Sequence, residues 1–387
     1  MTKRLYYENS HLKEFQATVT ACEKFEDFWR ISLDRTAFFP EGGGQSGDSG
    51  FLNAVEIFDT REDKNGIWHY ARTPLEPGSR VTGQLDWQKR FSRMQQHSGE
   101  HIVSGLVHAR FGYDNVGFHL GEQEVTLDFN GVITREELAE LETAANEAVF
   151  ANIPVQISYP SREELNHLKY RSKIEIEGQV RIVTIPGIDV CACCAPHVER
   201  TGEIGLVKLT SVQSHRGGVR VNLLAGSRAL LDYREKEGSV KSISVLLSAK
   251  ENRVTEAVER LRQETYELKG QLMQQNLTRI QEKVASVSEG TANPVFFEEN
   301  LDMDACRELV NLLTARCKGI VCVFSGSDIN GWRYILGSHT EDVRPLCRHL
   351  NEAFQGKGGG KPEMAQGSLK GMQSKIIESI LSFTAKN

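Results

Sequence analysis

The sequence predicts an α+β protein with several domains, and three observations support that class. Within the first 90 residues, short runs alternate apolar and polar residues, as strands with one buried face do. Further along, helical and strand patterns mix without the regular alternation of a doubly wound sheet. A chain of 387 residues also exceeds what a single hydrophobic core usually organises. We expect a small β-barrel over residues 1–90, a central α+β domain over 91–240, a helical arm over 241–290 and a small α/β domain over 291–387.

Composition and charge limit the compartment and the partners. No apolar run is long enough to cross a bilayer, so we expect no membrane partner. The N-terminus lacks the apolar core of a signal peptide, which predicts a cytoplasmic protein with reduced thiols. The net charge of -6 argues against a bulk electrostatic grip on nucleic acid, so any RNA contact should be local. Five of the eight cysteines are expected in the core: Cys22, Cys306, Cys317, Cys322 and Cys347.

The predicted barrel rests on five strand patterns. Turn residues such as those at 63–66 and 77–78 separate them. Several short strands at this spacing favour a closed or nearly closed barrel. The patterns cover residues 15–21, 28–33, 55–58, 67–70 and 81–85.

A glycine-rich segment lies inside the predicted barrel, between Thr36 and Asp48. It contains three consecutive glycines, 42–44, followed by Gln45. An ordinary hairpin turn would explain the glycines. The alternative is a loop whose backbone amides approach a ligand closely, because no Cβ intervenes. The segment is not a phosphate-binding P-loop, since no Gly-Lys-Ser or Gly-Lys-Thr follows.

Two histidines share one face of the next predicted element, a helix over residues 88–110. His97 and His101 are four residues apart, so both imidazoles project from the same side. In a chain with 11 histidines this spacing also arises by chance. Glu100 lies between them, but the order is not His-Glu-x-x-His, which excludes the motif of zinc metalloproteases.

Strands and capped helices follow up to about residue 236. Two of the helices open with a capping box, at Thr134 and at Ser161, where a glutamate follows three residues later. The strand patterns cover residues 118–120, 124–129, 153–158, 180–186 and 217–223, and a further helix begins at Ser227.

Three thiols and an imidazole occur together at residues 191–197, predicted to be a loop between strands. Cys193 and His197 form Cys-x-x-x-His. With the two histidines of the helix they would complete a tetrahedral His₃Cys set of the kind that binds zinc. From spacing alone, Cys191 and Cys194 are rival ligands.

A long helix is predicted from about Lys241. Apolar residues step by four and three, which indicates a heptad seam interrupted at Gly270. Both self-association through this seam and a helical hairpin that packs on its own domain fit the pattern. The seam residues are Val254, Val258, Leu261, Thr265, Leu268 and Leu272.

The C-terminal part combines strand patterns with helices and a glycine segment. The segment Lys357-Gly358-Gly359-Gly360-Lys361 is predicted to be a loop, which could present amides and cations to phosphates or simply be flexible. The strands are predicted at 295–297, 320–324 and 334–338, and the helices at 304–317, 343–354 and 374–383.

Together these motifs resemble the editing half of alanyl-tRNA synthetase and its free-standing relatives, the AlaX proteins, along nearly the whole chain. Thr36-x-Phe38-Phe39 and the stretch from Gly43 to Asp48 are similar to the family's barrel signature, and the pair on the helix is similar to its first zinc pair. Cys193-Cys194-Ala195-Pro196-His197 stands where the family usually has Cys-Gly-Gly-Thr-His, which keeps the outer ligands and stiffens the loop. Residues 358–367 resemble the glycine-rich signature of a C-terminal domain associated with tRNA binding.

The resemblance implies a long free-standing editor that hydrolyses, in trans, the aminoacyl ester of tRNA(Ala) mischarged with serine, with glycine as a second candidate. An alanine pocket rejects an added hydroxyl poorly, so a second, hydrolytic site is useful. A homodimer through the arm or the C-terminal domain is left open. The implied zinc ligands are His97, His101, Cys193 and His197. The implied pocket residues are Thr36, which would read the serine hydroxyl, and Gly43, Gly44 and Gln45, and the implied tRNA contacts are Lys357, Gly358, Gly359, Gly360 and Lys361.

Two rival functions come from other classes. The first is a zinc-stabilised RNA-binding module without hydrolysis, against which the Thr36 and Gly-Gly-Gln signature argues. The second is a metal-dependent hydrolase of a small ester or amide, which would not need a helical arm. Four protein ligands are typical of a structural ion, whereas a catalytic ion keeps an open position. We expect the metal to organise the site, with water activated near it.

Overall fold

The computed structural model describes residues 2–122, 124–172 and 178–385. The residues group into two compact units, Met1–Ser242 and Ile243–Asn387. Both combine helices with sheets, which confirms the α+β class. Among the helices of the described ranges, none has both the length and the apolar character needed to cross a bilayer.

Short, mostly antiparallel strands dominate the chain before residue 86. The predicted strands are all present, and three further short strands were not predicted, at Lys3–Arg4, Arg35–Thr36 and Gly50–Leu52. The elements are β1 (Lys3–Arg4), α1 (Leu5–Glu8), β2 (Glu14–Phe25), β3 (Phe28–Leu33), β4 (Arg35–Thr36), β5 (Gly50–Leu52), β6 (Val55–Asp63), β7 (Gly66–Ala71) and β8 (Arg80–Leu85).

Six of these strands pair in a ring, here called the barrel. The order is β2-β3-β7-β6-β5-β8, and β8 returns to β2 through antiparallel pairs such as Glu14 with Gln84. Every strand of the ring therefore has a neighbour on both sides, which leaves no long free edge. Inward-facing apolar side chains such as Ile31, Leu52 and Ile57 fill the interior.

The remainder of the first unit is built on a long helix, α2 (Trp87–Phe111), close to the predicted bounds. Asp86 caps its first turn, and Gly112 ends it with φ at 71°. The predicted capping boxes at Thr134 and Ser161 are both present. The other elements are β9 (Asn115–Leu120), β10 (Val125–Phe129), α3 (Arg135–Phe150), β11 (Gln156–Ser158), α4 (Arg162–His167), β12 (Ile182–Ile185), β13 (Asp189–Ala192), a 3₁₀ turn (Thr201–Ile204), β14 (Val207–His215), β15 (Gly218–Ala225) and α5 (Gly226–Leu246).

Helix α2 is held between two sheets by specific contacts. The Gln96 amide bonds both backbone groups of Ala225 in β15, at 2.6 and 2.7 Å. On another side, Gly105 lets the turn before β13 approach, since a Cβ there would lie 2.4 Å from the Ile188 oxygen. These contacts bring β13 and the residues after it against the histidine-bearing part of α2.

The second unit is a five-stranded sheet with helices on both faces. The strand order is β16-β17-β18-β20-β19, with β16 and β17 parallel and the other pairs antiparallel. Alternate residues of β17 face opposite ways, so Cys322 packs in one core cluster and Val323 in the other. The elements are α6 (Val254–Ser286), β16 (Val295–Glu298), α7 (Met303–Thr314), β17 (Val321–Ser327), β18 (Gly331–Gly337), α8 (Arg344–Ala353), β19 (Lys357–Lys361), β20 (Met364–Leu369) and α9 (Gln373–Thr384).

Two predictions of local structure were wrong. The long helix expected from Lys241 is interrupted, because α5 ends at Leu246 and Ser248 adopts a left-handed backbone with φ at 49° before α6 begins. The glycine segment at 357–361 is not a loop but the edge strand β19, paired with β20. Its glycines permit close approach, since a Cβ on Gly358 would lie 2.5 Å from the Tyr334 hydroxyl.

Candidate metal and active site

Four predicted ligand side chains meet in the first unit. His97 and His101 project from one face of α2, and Cys193 and His197 lie in the segment after β13. Their ligand atoms all lie within 4.8 Å of one another. Cys193 Sγ is 3.5 Å from Nε2 of His97 and 3.4 Å from Nε2 of His197. We call these four residues the His₃Cys group.

Each of the three imidazoles is oriented by a partner at its other nitrogen, Nδ1. Such a partner fixes the tautomer and the ring direction and leaves Nε2 available to a metal. The partners come from three different parts of the chain, namely the glycine segment, α2 itself and β13. The contacts are His97 Nδ1 with Gln45 Oε1 at 3.1 Å, His197 Nδ1 with Ser98 Oγ at 3.1 Å, and His101 Nδ1 with Asp189 Oδ2 at 2.8 Å.

The group fits a tetrahedral ion. Ordinary zinc–nitrogen and zinc–sulfur bonds at a tetrahedral angle separate the two ligand atoms by about 3.6 Å. The measured nitrogen–sulfur separations of 3.4 and 3.5 Å agree with that value. The three histidines are 2 to 3% exposed, so solvent competes little for their nitrogens. The group is therefore able to hold a metal ion.

Electrostatics in the group favours positive charge among its ligand atoms. Burial alone disfavours the thiolate of Cys193, but His97 and His197 outweigh it and hold the pKa of Cys193 well below its usual range. Burial also acts against the cation of His101, but Glu100 and Asp189 raise the pKa of His101 well above its usual value. A metal ion would bind the thiolate directly and displace the proton from His101.

Asp189 is itself fixed, by an arginine that the sequence did not single out. Arg171 donates from Nε to Asp189 Oδ1 at 2.7 Å and from Nη2 to Asp189 Oδ2 at 2.8 Å. This bidentate pair holds the carboxylate in position for His101. Asp189 precedes the cysteines by two residues, but an isolated acidic residue carries no signal that would assign it this role.

The two rival thiols lie elsewhere. Cys191 belongs to β13, so the segment predicted to be a loop begins in a strand. Its side chain forms a separate group with His101 and Asp189. The Cys194 side chain is exposed and faces the glycine segment, where a Cβ on Gly43 would lie 3.2 Å from the Cys194 sulfur. Of the three thiols, Cys193 is the one that reaches the His₃Cys group.

The glycine segment forms a tight turn that presents Gln45 to the group. Gly42 and Gln45 exchange two backbone hydrogen bonds of 3.0 Å. Gly43 and Gly44 have φ of 61° and 80°, and a Cβ on Gly44 would lie 2.7 Å from the Phe118 ring. The glycines therefore form the turn that was predicted, and their missing side chains make room for Phe118 and Cys194, whereas the approach to a ligand stays a prediction. We call residues 42–46 the glycine turn.

A cleft of about 470 Å³ opens beside the glycine turn. Gln45 lines this cleft and also contacts His97 with its Oε1 atom. Its Nε2 donor is buried and has no hydrogen-bond partner within the described residues. A buried amide donor without a partner is costly, so it indicates a place where a ligand oxygen can bind. The other lining residues are Glu41, Gly42, Gly44, Ser46, Arg61, Glu62, His119 and Leu120.

Thr36 lies in the barrel interior, fully buried. Its hydroxyl accepts from the Phe38 N–H at 3.1 Å and lies 2.8 Å from His69 Nε2. His69 Nδ1 donates to the Ile31 oxygen at 2.9 Å, so Nε2 is the acceptor for the Thr36 proton. Burial lowers the pKa of His69 to about 4, which keeps this ring neutral. Thr36 therefore bonds to His69 and Phe38 and not to the His₃Cys group. Among the predicted pocket residues, Gln45 is the one that hydrogen-bonds to that group.

A buried ion pair attaches the barrel to α2. Arg90 Nε donates to Asp48 Oδ2 at 2.8 Å, and both side chains are 1% exposed. Arg90 also donates to the backbone oxygen of Ala37, and Asp48 Oδ2 accepts from the Phe39 N–H. Asp48, already part of the barrel signature, therefore holds the glycine segment against the helix that carries two of the histidines.

The predicted tRNA-contact residues form β19 in the second unit. All five residues, 357–361, are exposed along the outer edge of the sheet. The strand presents two lysines to solvent at the edge of the sheet.

Comparison with known proteins gives one family match in each of the two units. Residues 180–221 match the family described as Threonyl and Alanyl tRNA synthetase second additional domain, and residues 284–386 match the DHHA1 domain. Alanyl-tRNA editing protein Aarsd1 of Danio rerio is 28% identical over 400 residues, covering 96% of this chain and 95% of the relative. The chain is a homologue of the alanyl-tRNA editing proteins. Alanyl-tRNA editing protein AlaX-L of Pyrococcus horikoshii is similarly 27% identical over 410 residues, covering 98% of both chains.

The alanine–tRNA ligases are also related to this chain. That of Methanoregula boonei is 32% identical over 385 residues, which cover 95% of this chain but 41% of the ligase. The first family match includes Cys193 and His197, and the second includes β19. The resemblance seen in the sequence motifs thus extends over both units.

Proposed function

We propose that this protein hydrolyses, in trans, the ester bond of tRNA(Ala) mischarged with serine, with glycine as a second candidate. The single observation that carries the proposal is the position of Gln45, which lines an open cleft and contacts a histidine of the His₃Cys group. A substrate in that cleft would lie beside a site able to hold a metal. The near-full-length homologues are named alanyl-tRNA editing proteins, which supports editing of alanyl-tRNA, and the serine ester is our proposal.

The metal that suits the group best is zinc. Three imidazoles and a thiolate in a buried tetrahedral arrangement are typical zinc ligands. A bound zinc ion would supply positive charge beside the cleft and would fix the positions of its four ligands. Since four protein ligands fill a tetrahedron, we propose that the ion organises the site rather than exchanging a ligand during turnover.

Gln45 has the geometry to bind the ester. Its Oε1 atom is occupied by His97, and its Nε2 donor is left without a partner within the described residues. A donated hydrogen bond from Nε2 to the ester carbonyl would stabilise negative charge as water attacks. The glycine turn brings the backbone close to the ester as well, because Gly43 and Gly44 carry no side chain.

Selectivity for serine is proposed to depend on Thr36. The Thr36 hydroxyl donates its proton to His69 Nε2, and its oxygen accepts from the Phe38 N–H. One lone pair of the oxygen is left for a further donor. A serine hydroxyl could donate to that lone pair, whereas alanine would offer nothing. Thr36 is fully buried, so this role requires the amino acid to reach the barrel interior.

The RNA would make a second contact at β19. Lys357 and Lys361 flank three glycines on an exposed edge, where ammonium groups and backbone amides can meet phosphates. We expect Lys357→Gln with Lys361→Gln to raise the KM for mischarged tRNA while hydrolysis of a minimal seryl ester is unchanged. Equal effects on both substrates would contradict an RNA contact there.

Self-association along α6 is also proposed. The seam residues Val258, Leu261, Leu268 and Leu272 are 46 to 57% exposed although they repeat as in a coiled coil. A second copy would cover them. Light scattering should give a dimer that Leu268→Glu dissociates and that Tyr266→Glu, exposed but off the seam, leaves intact. A monomeric wild type would contradict this assembly.

The test of the proposed function is to incubate the protein with seryl-, glycyl- and alanyl-tRNA(Ala) side by side. We expect the seryl ester to be hydrolysed and the alanyl ester spared, and His101→Ala to abolish the activity. If the wild type hydrolyses none of them while a gel shift detects tRNA binding, the alternative function, a zinc-stabilised RNA-binding module, replaces the proposal.

A further inference from the structure

Two arginines hold the ends of the segments that line the cleft. Arg93 of α2 donates from Nη1 to the Gly47 oxygen at 2.8 Å. Arg228 of α5 donates from Nη1 to the Gly121 oxygen at 2.7 Å and from Nε to Ser92 Oγ at 3.2 Å. Both guanidinium groups are thus fixed in orientation by neutral partners.

The two arginines bind the segments that line the cleft beside the glycine turn, without lining it themselves. Ser46 and Leu120 line this cleft, and the carbonyls that the arginines bind belong to the next residue in each segment. Consecutive Cα atoms are only about 3.8 Å apart, so each arginine holds its segment one residue from the cleft wall.

Glu41 and Glu62 line the cleft and pair with Arg61 and Arg4, whereas the positive charge of Arg93 and Arg228 is only partly compensated. Arg90 and Arg93 share one carboxylate, Asp48, with Arg93 Nη1 at 3.7 Å from Oδ1. Arg228 has no carboxylate within 4 Å in the described part of the chain, and Glu122 is a more distant neighbour. Burial, together with the proximity of Arg93, lowers the pKa of Arg228. Two like charges near enough to repel each other in a half-buried place cost free energy, which an anion between them would offset.

We propose that Arg93 and Arg228 form a phosphate subsite for the unpaired 3′ end of the mischarged tRNA. This inference rests on the proposed function and deepens it. The aminoacyl ester sits on the terminal ribose, and a phosphodiester immediately precedes that nucleoside. The phosphate is one nucleotide away from the ester. With the ester at Gln45 in the cleft, we expect that phosphate to reach the two guanidinium groups. Fixed guanidinium forks are suited to phosphate oxygens.

The test compares two seryl esters that differ in the phosphate. One substrate is seryl-tRNA(Ala), and the other is the 3′-seryl ester of adenosine, which carries no phosphate. Arg228→Gln should raise the KM for seryl-tRNA about tenfold, as the loss of a charged hydrogen bond does, and leave kcat nearly unchanged. The same variant should hydrolyse seryl-adenosine at the wild-type rate.

Salt dependence provides a second readout. Loss of one phosphate contact on single-stranded nucleic acid should reduce the slope of log KM against log salt by about 0.7. Arg93→Gln should act in the same direction. Arg162→Gln is the matched control, because Arg162 is an exposed arginine on α4, a helix with no buried side chain.

Different failures give different results. Equal losses on seryl-tRNA and seryl-adenosine, or an unchanged salt slope, would overturn the phosphate subsite while the proposed hydrolysis stands. If the wild type cleaves neither ester, fluorescence anisotropy of a hairpin RNA ending in CCA replaces the kinetics. Weaker binding with a shallower salt slope in Arg228→Gln would then support the subsite, and unchanged binding would overturn it.

Folding must be controlled in these variants. Thermal unfolding and metal content should match the wild type within error. If Arg228→Gln does not fold, Arg228→Lys is measured instead, because it keeps the charge and loses the planar fork. It should raise the KM for seryl-tRNA by a smaller factor and keep the wild-type salt slope, and a wild-type KM would overturn the subsite.

Discussion

Gln45 Oε1 lies 3.1 Å from Nδ1 of His97, which joins the glycine turn of the barrel to the His₃Cys group on α2. Oε1 accepts the proton of Nδ1, so the lone pair of Nε2 faces Cys193. The same amide lines the cleft. One side chain thus fixes a metal ligand and reaches the place where a substrate would bind.

Gln45→Ala should lower zinc affinity about 10- to 100-fold, the usual effect of removing a partner that orients a metal-binding histidine. Competition with a chromogenic chelator measures this affinity. Ser46→Ala is the matched control, because Ser46 is exposed on the same turn. Wild-type zinc affinity in Gln45→Ala would show that His97 does not depend on this partner.

Thr36→Val should reduce discrimination between seryl- and alanyl-tRNA(Ala), since the hydroxyl proposed to meet the serine side chain is gone. It should also cost about 1–3 kcal/mol of stability, because His69 Nε2 and the Phe38 N–H lose their partner. Initial rates on the two esters and urea unfolding measure the two effects. Thr36→Ser keeps the hydroxyl and should retain selectivity. Selectivity that survives in Thr36→Val removes Thr36 from substrate recognition.

Asp48→Ala should destabilise the first unit by about 3–5 kcal/mol, because Arg90 would remain buried without its carboxylate. The free energy of unfolding in urea measures this. Glu23→Ala is the comparison, since it breaks a surface pair with Arg30 and should cost less than about 1 kcal/mol. Similar losses in both variants would mean that the buried pair contributes no more than an exposed one.

His69 should make stability depend on pH. Its pKa is lowered from 6.5 to about 4 in the folded protein, so the unfolded chain binds more protons between these values. The stability is therefore fully present above pH 6.5 and falls as the pH drops toward 4, by about 3 kcal/mol. His69→Gln keeps a hydrogen-bonding amide and does not titrate. Between pH 6.5 and 4 this variant should therefore lose about 3 kcal/mol less stability than the wild type. Identical pH profiles would contradict a neutral, buried His69.

The local pattern of the sequence was sufficient to pick out the three histidines and a neighbouring thiol as candidate ligands. The spacing of His97 and His101 on a helix, and of Cys193 and His197 in one short segment, follows from backbone geometry, and the four residues do meet. Which thiol of the three would reach the group depended on where β13 ends. Because β13 includes Cys191, and Cys194 faces the glycine turn, spacing alone could not choose between them.

Partners that the fold brings from distant positions could not be predicted. Asp189 and Arg171 orient His101, yet neither has a distinctive motif. Arg90 looks in sequence like any charged helix residue, although it is buried against Asp48. The segment at 357–361 was mistaken for a loop because glycine usually breaks strands. In this strand the close contact with Tyr334 is possible only for a residue without a side chain.

The most direct measurement combines metal content with hydrolysis on one sample of the full chain. We predict about one zinc per chain by mass spectrometry and hydrolysis of seryl-tRNA(Ala) that is lost on chelation and restored by zinc. In Cys193→Ala both zinc and activity should be lost, while Cys194→Ala should keep the zinc. Seryl-tRNA hydrolysis that persists at the wild-type rate in metal-free protein would contradict a metal-organised editing site.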